Sequence, residues 1–137
     1  MEASPGEVTL PFRTLDRMSL RAEEPDLFVA RTADQWARLW QRMTSHLSPT
    51  PPQPTVDWST EMVVVLALGT RATGGYTVEI EEIRAGQDTL DVHGREDVPG
   101  RTCVVTAALT YPHHAVAVAA RNGQARLTLR VVTVECE

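Results

Sequence analysis

Met62-Val63-Val64-Val65-Leu66-Ala67-Leu68-Gly69-Thr70-Arg71-Ala72-Thr73-Gly74-Gly75-Tyr76-Thr77-Val78-Glu79-Ile80 holds the two strand patterns on which the fold turns. Its first seven residues are continuously apolar, as expected of a central strand covered on both faces, and the run stops at Gly69. From Tyr76 onward, Tyr76, Val78 and Ile80 alternate with Thr77, Glu79 and Glu81, the pattern of a strand with one buried and one wet face. Between them, Gly69 to Gly75 reads as a hairpin loop. Its glycines supply positive φ or close backbone approach, and it is expected to present Arg71 and Thr73 to solvent.

Downstream, Leu90 and Val92 repeat the alternation, and Thr102 to Tyr111, Ala115 to Ala120 and Ala125 to Val134 add three β-prone runs. Tyr111-Pro112-His113 and Asn122-Gly123 separate them, the latter suited to a tight hairpin, so most links are expected to be antiparallel. In the last run the apolar set shifts from Leu127, Leu129 and Val131 to Val132 and Val134, which predicts a bulge or a strand buried on both faces.

Upstream, the first two dozen residues are polar and are expected to be peripheral, with Val8 to Phe12 a short edge strand. Leu27 to Ala30 reads as a strand. Thr32 and Gln35 have capping-box spacing, and Trp36, Leu39, Trp40 and Met43 share one face of a helix from Ala33 to Leu47. That stripe is read as the way the helix docks on a sheet. The prolines of Ser48 to Pro54 cannot continue the helix or enter a central strand, so the segment reads as an extended connector.

At 137 residues the chain suits one domain with one core. Its expected parts are a peripheral segment 1–26, a strand and helix 27–47, a Pro-rich connector 48–55 and a β-rich core 56–137. The predicted class is α+β: six to eight mainly antiparallel strands, sandwich-like or a partly open barrel, with one amphipathic helix on the sheet. The net charge of −5 and the scattered cations, all 13 of them Arg, argue against a nucleic-acid partner. No apolar run approaches the roughly 20 residues needed to cross a bilayer. Two cysteines leave two states open, a Cys103–Cys136 bridge or two free thiols with Cys103 in the core.

Candidate chemistry is sparse, and no catalytic, cofactor or metal residue is expected. His113 and His114 are adjacent and so point to opposite faces of an extended chain, with His46 and His93 far off in sequence. Cys103 opens an apolar run, where a reactive thiolate is not favoured. Glu79, Glu81 and Glu82 have the spacing of a solvated strand face, and the glycine-rich loop is followed by a strand, not by the helix of a phosphate loop. The chain is therefore read as noncatalytic.

Val56-Asp57-Trp58-Ser59-Thr60-Glu61-Met62, then Leu68 to Ile80, then Leu109-Thr110-Tyr111-Pro112, in that order and spacing, resemble the C-terminal domain family of the protease complex subunit PrcB. The resemblance spans about Asp57 to Ala120, with His113 and His114 standing where the family is expected to carry aromatic or aliphatic residues. It implies a noncatalytic partner that binds or stabilises a protease or other exported protein. It also favours an exported or cell-envelope location where a leader has been removed, and a cytoplasmic one otherwise. The Thr-Gly-Gly-Tyr stretch is also similar to the Thr-Thr-Gly-Tyr loop of chagasin-like cysteine protease inhibitors. The contact residues expected from the resemblance are Arg71, Thr73, Gly74, Gly75, Tyr76, Tyr111, Pro112 and His113. Two alternatives are direct protease inhibition by the same loop, and a small-ligand carrier with its pocket between Trp36, Trp40 and the sheet.

Overall fold

A computed structural model describes residues 7–136. Eight strands and one helix run in the order β1 (Val8–Thr9), β2 (Phe12–Asp16), β3 (Asp26–Ala30), α1 (Ala33–Met43), β4 (Glu61–Ala67), β5 (Thr77–Ala85), β6 (Thr89–Pro99), β7 (His113–Ala119) and β8 (Gln124–Val134). They form two open four-stranded sheets, β1-β5-β6-β8 and β2-β7-β4-β3, stacked as a sandwich. Every pairing is antiparallel except β6 with β8.

The continuous apolar run forms β4, and the structure shows why both of its faces are apolar. Met62, Val64 and Leu66 face the first sheet and pack with Val78, Ile80, Leu90 and Val92. Val63 and Val65 face the other way and pack with Trp36, Trp40 and Met43 of α1. Residues of alternate parity on one strand thus serve two core layers.

The helix starts where its cap predicts. Thr32 Oγ1 accepts from Gln35 N–H at 3.1 Å, and Gln35 Oε1 reaches back to Arg31 N–H at 2.7 Å. It ends at Met43, a turn short of the expected Leu47, because Thr44 caps Trp40 O with both its N–H and its hydroxyl. The proline-rich connector lies against this helix, with Trp40 Nε1 donating to Pro51 O at 3.0 Å.

Several sequence expectations are corrected. Gly69 to Gly75 is not a hairpin loop, because β4 and β5 belong to different sheets and the loop crosses from one to the other. Asn122-Gly123 likewise carries the chain between sheets, from β7 to β8. Thr102 to Tyr111 forms no strand: it is an irregular loop, tied down by a Cys103–Cys136 disulfide. Cys103 is therefore bridged and partly exposed, not a core thiol. β8 carries no bulge and keeps unbroken register with β6 as an edge strand, with Leu127, Val131 and Val134 exposed.

The segment expected to be peripheral supplies β1 and β2, one to each sheet, with Leu10 buried between them. Residues 1–6 of it lie outside the described residues. No helix among the described residues is long and apolar enough to cross a membrane.

Candidate functional site

The crossover loop after β4 and the irregular loop before β7 meet at one end of the sandwich. Arg71 and Thr110 exchange backbone hydrogen bonds at 2.8 and 2.9 Å, Gly74 N–H donates to Thr106 O at 3.0 Å, and Thr110 Oγ1 donates to Thr73 O at 2.8 Å. Leu68 N–H donates to Pro112 O at 3.0 Å. The two sequence landmarks are thus brought into contact, and each supplies the backbone partners the other lacks.

This corrects the expectation that Arg71 faces solvent. Its Nε donates to Glu96 Oε2 at 3.0 Å, and its Nη1 donates to the carbonyls of Leu68 and Thr70 at 3.0 and 3.2 Å. Its guanidinium also lies 5.7 Å from the Tyr76 ring centroid. Arg71 is a brace that holds the crossover loop on the first sheet through a buried carboxylate. Thr73 is half-buried, its hydroxyl donating to Gly74 O at 3.0 Å. Gly75 has φ +94, and a Cβ there would come within 2.8 Å of Val105 Cγ1. Glycine is required here because the backbone is left-handed and the neighbouring loop leaves no space.

Beside this junction lies a groove of about 450 Å³. Tyr76, Val78, Tyr111 and Pro112 line it together with Met18 and Leu20 from the segment between β2 and β3. Arg17, Arg21 and His46 also line it. Met18 is 90% exposed, a large apolar side chain at the groove without cover. The Arg21 guanidinium stacks over the Tyr111 ring at 4.5 Å, and Arg17 pairs with Glu79 at 2.9 Å. Burial, followed by the nearby charges of Arg21 and His113, holds the His46 pKa below its ordinary value.

His113 is the one expected contact residue that is buried. Its Nδ1 lies 3.0 Å from Tyr111 O and its Nε2 lies 2.7 Å from Asp16 Oδ2. Burial alone would raise the Asp16 pKa, but hydrogen bonds from His113 and Ser19 outweigh it and hold the carboxyl below its usual range. The imidazole fixes the β2 end against the wall of the groove. His114 points the opposite way, between the sheets. Thr14 Oγ1 lies 2.8 Å from its Nε2, and its Nδ1 accepts from Ile80 N–H at 2.9 Å, where the β5 ladder shifts register.

Of the expected contact residues, Tyr76, Tyr111, Pro112 and the buried His113 line the groove, while Arg71, Thr73 and Gly74 build the scaffold behind it. The groove residues that sequence reading missed include Arg17, Met18, Leu20, Arg21 and His46. No local spacing distinguishes them, because the β2–β7 pairing brings the segment of Arg17 to Arg21 beside β7 and the bond from Arg21 N–H to Met43 O brings the end of α1, and so His46, to that segment. The pocket expected between the helix and the sheet is filled: Trp36, Trp40 and Met43 are buried there, with the two indoles 5.5 Å apart.

Residues 62–119 match the family described as PrcB C-terminal, so the resemblance read from the sequence holds over β4 to β7 and both loops of the junction. No curated protein and no solved structure matches the chain.

Proposed function

We propose, from the PrcB C-terminal likeness of residues 62–119 and the groove beside their two loops, that this is a noncatalytic protein-interaction domain. It binds or stabilises a protease or other exported protein, as the resemblance implies. One observation carries the reading: the junction of the two landmark loops is rigidly braced from behind and presents an apolar groove with Met18 uncovered. An uncovered apolar side chain beside half-exposed tyrosines and an arginine has the composition of a protein contact surface. The expected contact set accordingly moves from Arg71 and Thr73 to Met18, Arg21, Tyr76, Tyr111 and Pro112.

Affinity capture from the source cells tests this. The wild-type domain recovers a protease, and Met18→Glu, a change at a residue without cover, reduces the yield several-fold. Capture of a protease by the wild type and by Met18→Glu in equal amount removes the groove from the reading, and recovery of no protease removes the protease. Direct inhibition is the second reading, supported by the similarity of the Thr73 to Tyr76 stretch to an inhibitor loop. Titration against cysteine and serine proteases separates the two, since an inhibitor lowers turnover and a stabilising partner does not.

A further inference from the structure

The four sheet edges end differently. β1 has two residues, β2 shifts register between Thr14 and Asp16, and β3 has five residues that start directly after Pro25. Short, bulged or proline-flanked edges resist extension by another chain. β8 has none of these devices. It runs eleven residues in unbroken register with β6 and contains no Pro, Gly or Lys. Among the described residues nothing pairs with its far side.

The side chains of this edge are unusually apolar for an exposed strand. Leu127 and Val131, on the face turned toward the second sheet, are 40% and 60% exposed, and Val134 on the outer face is 45% exposed. The two arginines are already held by their own sheet: Arg126 lies 2.9 Å from Asp91, and Arg130 lies 3.0 Å from Glu81. The edge therefore offers hydrogen-bonding backbone and apolar surface without a free charge.

We propose that the β8 edge is the interface of a homodimer, in which two copies pair β8 antiparallel about a two-fold axis at Leu129 and join their first sheets into one. The strand's own sequence selects a second copy as the occupant. About Leu129, Leu127 faces the partner's Val131, Arg126 faces the partner's Val132, and Thr128 faces the partner's Arg130. Apolar side chains meet on the covered face and no arginine meets another. An axis one residue earlier, at Thr128, would set Arg126 against the partner's Arg130, so charge disfavours that register, and Leu129 is the axis that pairs all of Gln124–Val134. An acidic partner strand would find both arginines occupied.

Light scattering on the eluting protein tests the interface. The wild-type chain is expected at twice the 15.1 kDa of one copy, and Val131→Lys, at an already exposed position, at the mass of one copy with an unchanged circular dichroism spectrum. Val104→Lys, on the fully exposed loop valine, keeps the double mass. Amide exchange on the wild type is a second measurement that needs no variant: residues 124–134 lose protection on dilution. A wild-type chain that runs as a single copy at its highest soluble concentration overturns the proposal. So does a dimer that Val131→Lys leaves intact, or exchange in β8 that ignores dilution.

Discussion

Arg71 and Glu96 meet at 3.0 Å, Nε to Oε2, across the join between the crossover loop and β6, with the carboxylate buried and the guanidinium partly exposed. The pair explains how a loop rich in glycine holds one shape. Removing one partner of such a pair strands a charge, whereas replacing both with apolar groups of similar size is tolerated.

Arg71→Ala is therefore expected to cost about 2–4 kcal/mol, because Glu96 loses its partner while the site admits some water. Arg71→Met with Glu96→Leu should recover most of that loss. Urea unfolding reads both variants, and an Arg71→Ala midpoint equal to the wild type would show that the pair contributes nothing.

His114 makes stability depend on pH. Burial, with a further push from Arg17, lowers its pKa from 6.5 to about 4 against the opposing pull of Glu79, and its Nδ1 must stay unprotonated to accept from Ile80 N–H. The unfolded chain takes up this proton near 6.5 and the folded chain only near 4. Stability from this group is thus whole above pH 6.5 and falls as the pH drops to about 4, by about 3 kcal/mol in total. His114→Asn is less stable at neutral pH but should lack this slope. The carboxylates held low in the fold, such as Asp16 and Glu61, titrate in both proteins, so the difference between the two unfolding curves isolates the histidine. Parallel curves from pH 7 to 4 reject the assignment.

Cys103 and Cys136, separated by 33 residues, close a loop that spans the irregular segment, β7 and β8. Reduction should lower stability by about 3–4 kcal/mol on the chain-entropy estimate for a loop of this length. It should also free residues 100–112 for proteolysis, because few backbone groups there pair within regular structure. Limited proteolysis with and without reductant shows the effect as new cleavage confined to that loop.

Gly75→Ala should cost about 1–3 kcal/mol, since φ +94 disfavours any Cβ and Val105 stands 2.8 Å from where it would sit. Thermal unfolding measures it. A midpoint unchanged from wild type would mean that the junction relaxes freely.

What can be read from neighbours in sequence was legible. β4 was found from Met62 to Leu68 because two buried faces leave no polar position, and α1 was found because Thr32, Gln35 and the tryptophan stripe act within a few residues of one another. The alternation in Val78 and Ile80 gave the inner face of β5 as far as its register shift. The candidate site was half legible: Tyr76, Tyr111, Pro112 and His113 line the groove, but Met18 and Arg21 join them from nearly a hundred residues away from Tyr111. Thr102 to Tyr111 misled because β-prone composition does not say whether a strand partner exists, and here a disulfide holds the loop in place of one.

The sequence by itself determined the strand character of β4 and β5, the start of α1 and which faces of these elements are apolar, since those follow from local periodicity and capping. Only the tertiary structure decided to which sheet each strand belongs. A period of two records that one face is buried and carries no information about what buries it. For the same reason the glycine stretch could be recognised as a turn but not as a crossover between sheets. The role of Arg71 was settled by Glu96, a buried carboxylate 25 residues away in the chain that only folding brings to its side.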